Sequence, residues 1–171
     1  MRIPVTTLND GYDFPLLGLG TYKLTGEDVE RIVRTAIELG YRHIDTAALY
    51  DNEVEVGKAI NDAIKAGDVT REELFVTTKL WNDDQERVAA AYQESLERLN
   101  LEFVDLYLVH WPWPQHGTYV KAFEQLAELQ GMGRLQSVGV ANFYPEVLDE
   151  IIEATGITPV LNQVELHAGF T

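Results

Sequence analysis

Asp45, Tyr50, Lys79 and His110 place a carboxylate, a phenol, an ammonium and an imidazole at or just after the carboxyl ends of short apolar runs. If those runs are strands of a βα repeat, their ends share one rim, which is where such folds keep their chemistry. Reducing a carbonyl needs a hydride delivered to carbon and a proton delivered to oxygen. A free phenol ionises only near pH ~10 and is a poor acid at neutrality. An ammonium beside a phenol favours the phenolate, and a carboxylate keeps that ammonium charged and placed. A neutral imidazole can hold the carbonyl oxygen toward the acid. Singly, each residue has a plainer use: Asp45 as a counter-ion, Tyr50 in packing, Lys79 reaching out to solvent, His110 as a satisfied core histidine. Four such residues at successive strand ends are more economically read as one site.

The elements that would position them follow from periodicity. Apolar residues 5–8 and 12–14 flank Asn9-Asp10-Gly11, whose residue types suit a hairpin turn. A repeat then begins. Strands are expected over 16–20, 43–46, 75–79, 104–110, 137–140 and 160–165, with helices over 27–39, 53–65, 84–100, 118–130 and 145–155. The helices show apolar residues at i, i+3 and i+4, as in Val29, Ile32, Val33, Ala36 and Ile37. Thr25 is positioned to cap the first helix, Gly40 to stop it, and Pro145 suits the first turn of the last. The strands are continuous apolar runs, as expected where both sheet faces are covered. Alternation of strand and helix means an α/β fold with a parallel sheet and helical crossovers. No linker divides the chain, so 1–171 is expected to be a single domain, with 1–15 as the hairpin and 16–171 as six βα strands and five helices.

The 171 residues carry a net charge of −15, which argues against nucleic acid and anionic membrane as partners. There is no cysteine, which removes disulfides and thiolate chemistry. The first ten residues lack the apolar core of a signal peptide and no run suits a membrane span, so a cytoplasmic location is expected. Gly18-Leu19-Gly20 is followed by Thr-Tyr-Lys and does not complete a dinucleotide-binding glycine turn. His43, His110 and His167 with Asp45 or Glu165 would be the donors of a metal-dependent hydrolase, a weaker reading; the expected metal content is none.

Several stretches taken together resemble the aldo-keto reductase family over essentially the whole chain. These are Gly18-Leu19-Gly20-Thr21-Tyr22, then Gly40-Tyr41-Arg42-His43-Ile44-Asp45-Thr46-Ala47 with Tyr50, Asn52, Glu53 and Gly57, then Thr78-Lys79-Leu80-Trp81. Further along come Asp105-Leu106-Tyr107-Leu108-Val109-His110-Trp111-Pro112, Val138-Gly139-Val140-Ala141-Asn142-Phe143 and Asn162-Gln163-Val164-Glu165-Leu166-His167. The resemblance implies a (β/α)8 TIM-type barrel and NADPH-dependent reduction of aldehydes or ketones. Tyr50 would be the proton donor, assisted by Lys79 and Asp45, with His110 orienting a small carbonyl substrate. Thr21, Tyr22, Asp45, Asn142 and Gln163 would meet the cofactor. Tyr22, Trp81, His110 and Trp111 would line the substrate pocket. The opening Gly-Thr-Tyr-Lys-Leu is most similar to that of bacterial members acting on keto-sugar acids and small carbonyls.

Two departures shape the expectations. Ala141 stands where the resemblance implies a serine, so one hydrogen bond to the cofactor carboxamide, worth about 1 kcal/mol, is missing. The repeat also stops after six strands, and ~250 residues is typical of a closed barrel. The adenosine-phosphate site, commonly built after strands seven and eight, is therefore expected to be missing from these residues. An open sheet leaves strand edges that can pair with a second copy. A non-catalytic, self-assembling barrel fragment is the alternative to a working reductase.

Overall fold

The computed structural model describes residues 3–170. Positions 1, 2 and 171, the ends of the expected domain span, lie outside the described residues. In chain order the elements are β1 (Val5–Thr7), β2 (Asp13–Pro15), β3 (Gly18–Gly20), α1 (Glu27–Glu38), β4 (His43–Asp45), α2 (Glu53–Ala66), β5 (Phe75–Leu80), α3 (Val88–Leu99), β6 (Leu106–Val109), α4 (Tyr119–Gly131), β7 (Ser137–Ala141), α5 (Pro145–Thr155) and β8 (Asn162–Gln163). β1 and β2 form the antiparallel hairpin, and β3 to β8 form a parallel sheet in which spatial order equals chain order. An order that never reverses is that of a barrel wall rather than of a doubly wound sheet. The sheet curls into six strands of such a wall, with the helices on its outer face.

Strand alternation sorts the side chains. Ile44, Val76, Leu80, Tyr107, Val109, Val138 and Val140 point outward and pack on Val33, Ile37, Val56, Ile60, Leu96, Phe123 and Ile151 of the helices. Burying each such aliphatic side chain contributes about 1.5–3 kcal/mol, so this layer sets the wall's position. Phe75, Leu106, Leu108 and Ala141 point inward with Leu8 and Phe14 of the hairpin. The hairpin closes the N-terminal end of the wall. Phe14 sits edge-on to His43 and Phe75, Asp10 accepts a 2.6 Å hydrogen bond from Ser137, and the Asn9 amide reaches the carbonyls of Thr158 and Pro159. Among the described residues no helix is long and apolar enough to cross a membrane.

Several element boundaries depart from the periodicity, among them both edge strands. The first repeat strand starts at Gly18, not at residue 16; Leu16 and Leu17 are exposed, and the Leu16 N–H bonds back to Pro4 of the hairpin segment. The last strand keeps two residues of the expected six, because among the described residues only β7 pairs with it. The third helix begins at Val88, after a single 3-10 turn at Asn82–Asp84, rather than at 84. Thr25 does not cap α1. Gly26, at φ 53°, occupies that position with no side-chain cap, while Glu27, Asp28 and Glu30 set negative charge against the helix N-terminus. Gly40 does end the α1 segment, in the left-handed region at φ 100°.

Candidate active site

β4 and β5 are neighbours in register, Asp45 opposite Thr77. With a side-chain period of two, Lys79 falls on the same inner face one step nearer the rim. Lys79 is 1% exposed, so its ammonium has lost nearly all its water and must find protein partners. It donates to Asp45 Oδ1 at 2.5 Å, to the Thr46 carbonyl at 2.9 Å and to the Tyr50 hydroxyl at 3.2 Å. Tyr50 comes from a 3-10 turn, Ala48–Tyr50, that follows β4 and is halted by Asp51 at φ 53°. The second oxygen of Asp45 accepts 2.9 Å from Gln163 Nε2 of β8. Gln163, Asp45, Lys79 and Tyr50 thus make a continuous hydrogen-bonded line across the mouth of the wall.

His110 stands just past β6, its ring nearly perpendicular to that of Tyr50 at 5.7 Å. Burial first, and then the Lys79 charge, lower its pKa to about 4, with Asp45 opposing both. At neutral pH it is therefore an uncharged imidazole, able to donate one hydrogen bond. Its Nδ1 is buried and finds no partner among the described residues. The His110 carbonyl accepts 2.9 Å from Asn142, which stands just after β7 in the left-handed region at φ 61°. Tyr22 lays its ring 5.1 Å from that of Tyr50, and Trp81 approaches His110 edge-on at 5.4 Å.

These residues border a groove of about 740 Å³ lined by Tyr22, Asp45, Tyr50, His110, Trp111, Asn142 and Gln163. Trp81 is absent from its lining and opens on an adjoining depression with Leu49 and Arg87. Thr21 is fully buried, and both its N–H and its hydroxyl bond the Asp45 carbonyl. A larger depression, about 800 Å³, lies between Asn61, Arg71 and Phe103, away from all four rim residues. The histidines of the metal reading do not assemble. His43 is buried beneath the site, bonded to Thr77 and packed by Phe14 and Phe75, while His167 pairs with Glu165 at the surface. Among the described residues no group of three or more His, Cys, Asp or Glu is placed to hold a metal ion.

Sequence reasoning missed the supporting roles of four residues. Gln163 contacts Asp45 directly, a role that needed the spatial return of β8 toward β4. Gln85 is 1% exposed and holds the Trp111 carbonyl at 2.8 Å, with Thr118 donating to its amide oxygen. Asn52 and Glu53, singled out only as part of a motif, are both buried. The one signal for Asn52 and Glu53 was a polar pair at a helix start with an aliphatic stripe behind it.

The aldo/keto reductase family model matches residues 16–169. Methylglyoxal reductase DkgA of Salmonella typhimurium is 51% identical over 163 residues, 95% of this chain and 58% of the relative. An aldo-keto reductase of Mycolicibacterium smegmatis is 49% identical over 166 residues, 96% of this chain and 59% of the relative. The chain thus spans under two thirds of the length of these curated relatives. Among solved structures, an aldo/keto reductase of Brucella melitensis superposes with a TM-score of 0.92 at 42% identity, covering 99% of this chain and 66% of that one. A Bombyx mori aldo-keto reductase in complex with NADP gives 0.89 at 41% identity, covering 97% of this chain and 59% of that one. The curled parallel wall, the phenol and ammonium line at its mouth and the match across nearly all its residues agree: the chain belongs to the aldo/keto reductase family.

Proposed function

We propose that this polypeptide carries the catalytic half of an NADPH-dependent reductase that converts aldehydes or ketones to alcohols, with Tyr50 as the proton donor. The observation that carries the reading is the Lys79 ammonium, held between the Asp45 carboxylate at 2.5 Å and the Tyr50 hydroxyl at 3.2 Å. A carbonyl oxygen seated between the Tyr50 hydroxyl and neutral His110 would accept a hydrogen bond from each. As the proton leaves Tyr50, negative charge develops on the phenol oxygen, and the ammonium already lies beside it without reorganisation. Tyr22 and Trp111 would shield the reacting atoms from water.

NADPH supplies the hydride when bound. The residues present suit its nicotinamide end. The Asn142 and Gln163 amides each use one N–H on the protein, which leaves amide oxygens to accept from a carboxamide. Ala141 offers no such bond. At the phosphate end the fit is poor, since no Lys or Arg is among the groove-lining residues. The names of the relatives support a small neutral carbonyl as substrate, methylglyoxal being the first to try. The test is loss of NADPH absorbance at millimolar cofactor with methylglyoxal, this chain against its Tyr50→Phe variant. Equal rates would remove the proposal.

A second reading is favoured by one observation. Among the described residues β3 and β8 each have a single hydrogen-bonded neighbour, and beside them Leu16, Leu17, Val164 and Leu166 are exposed. Unpaired edges flanked by apolar side chains pair with other strands, which makes self-association of this polypeptide the alternative. Light scattering over a concentration series separates the two: a constant monomer mass ends the self-association reading.

A further inference from the structure

We propose that Asn52 and Glu53 are positioning residues that set, from behind the groove, how closely the Tyr50 phenol approaches the Lys79 ammonium. Both stand at the start of α2, directly after the turn that carries Tyr50, and both forgo the ordinary uses of that place. Asn52 occupies the capping position yet makes no capping hydrogen bond. Its amide oxygen instead accepts 2.7 Å from the Thr46 hydroxyl, and its nitrogen donates to the carbonyls of Thr21 and Leu24 at 2.9 and 3.1 Å. Glu53 could sit in solvent as a first-turn acid, but it is 2% exposed. Its carboxylate accepts 2.5 Å from Thr78, 2.7 Å from Arg98 and 3.3 Å from Ser95.

The partners make these two residues a pair. Thr46 follows Asp45 in the chain, and Thr78 precedes Lys79. The segment bearing the phenol is therefore tied once to the strand of the carboxylate and once to the strand of the ammonium. Thr78 and Lys79 project to opposite faces of β5, so fixing the Thr78 hydroxyl fixes the backbone from which Lys79 reaches inward. The tolerance is small. The Lys79 to Tyr50 contact is 3.2 Å, and a shift of about 0.5 Å carries it beyond hydrogen-bond range. A buried carboxylate needs compensation, which Arg98 supplies from a partly exposed side chain.

The catalytic meaning of this arrangement rests on the reading of Tyr50 as proton donor, but its test needs neither cofactor nor turnover. Thr78→Val keeps the shape of the side chain and removes the hydroxyl; Thr78→Ser restores the hydroxyl. Isotope-edited NMR of the chain follows the Tyr50 ring resonances, assigned through Tyr50→Phe, and proton exchange at the Lys79 ammonium, assigned through Lys79→Arg. In Thr78→Val the exchange rises about tenfold, the size expected when one buried hydrogen bond stops opposing local opening, and the Tyr50 resonances shift. Thr78→Ser returns both toward the unsubstituted chain. Unchanged exchange and Tyr50 resonances in a folded Thr78→Val overturn the proposal, and so does equal disturbance by Val and Ser. If Thr78→Val does not fold, Thr78→Cys, with a similar volume and only a weak donor, is judged by the same outcomes. Loss of the reductase reading with these results intact would leave the positioning in place without its proposed use.

Discussion

At the scale of single residues, the decisive fact is that Lys79 and Asp45 are desolvated together. Removing one partner of a buried pair leaves the other uncompensated, which costs about 3–5 kcal/mol, whereas removing both costs less. Lys79→Met and Asp45→Asn are each expected to destabilise the fold by about that amount in urea denaturation, and the double variant by clearly less than their sum. Gln163 tempers the Asp45 side, since its amide still bonds the surviving oxygen. Catalysis has its own residue-scale expectation: Tyr50→Phe lowers any reductase rate by about 100-fold or more, the contribution of a positioned general acid, with little change in stability. Two histidines set the acid limit. Burial lowers both His43 and His110 to about 4, so between that value and the ordinary 6.5 the unfolded chain binds protons that the folded chain does not. Stability is therefore complete above pH about 6.5 and is lost as pH falls through about 4. Melting temperature followed from pH 7 to 4 should fall across that window, and His43→Phe should flatten part of the slope.

Elements show which features a sequence carries openly and which it does not. The helices were legible because each pays out an aliphatic stripe at fixed period against one sheet face, and α5 runs over the residues its pattern implied. The rim positions were legible because Asp45, Lys79 and His110 end successive apolar runs, with Tyr50 in the turn after the first. Edge strands were not. An apolar residue such as Leu16 or Val164 counts toward a run in the sequence, yet strand structure needs a hydrogen-bonded neighbour, and each edge has one. Nor were side-chain ties between distant segments legible, such as Gln163 to Asp45, since they depend on the curl of the wall. Close helix packing left a trace only in glycine. A Cβ on Gly57 of α2 would lie 2.1 Å from the Leu99 carbonyl oxygen, a backbone atom that cannot rotate away. Gly57→Ala should therefore force α2 from α3 and cost about 3 kcal/mol. Gly131, in the last turn of α4, has open space around it, and Gly131→Ala should be neutral or stabilising by up to about 1 kcal/mol. Urea midpoints of the two variants make the comparison, and a similar effect at both positions would contradict the packing described here.

Over the whole molecule, the open wall and the charge bear on the same proposed property, the grip on a dinucleotide. In the proposed reading the groove's amides and aromatic faces meet the nicotinamide end, and among the described residues that line it there is no Lys or Arg for the phosphates. The chain as a whole carries −15, so the phosphates approach against a repulsive field. A site with a built phosphate clamp behaves in a recognisable way: it prefers NADPH to NADH, because the extra phosphate is paired, and salt weakens it by screening that attraction. If this chain lacks such a clamp, as proposed, both signs change. NADH and NADPH should bind this chain weakly and within about threefold of each other, and added salt should leave binding unchanged or improve it, because what is screened is repulsion. Trp111 lies in the groove, so quenching of tryptophan fluorescence reads both titrations. A polypeptide continuing over the further two fifths or so of a relative's length should reverse the pattern, with a tighter, NADPH-selective and salt-weakened complex. A tenfold preference for NADPH in the 171-residue chain, weakened by salt, would mean that cationic residues outside the groove lining already reach the phosphates, and that the division of labour inferred from the wall is wrong.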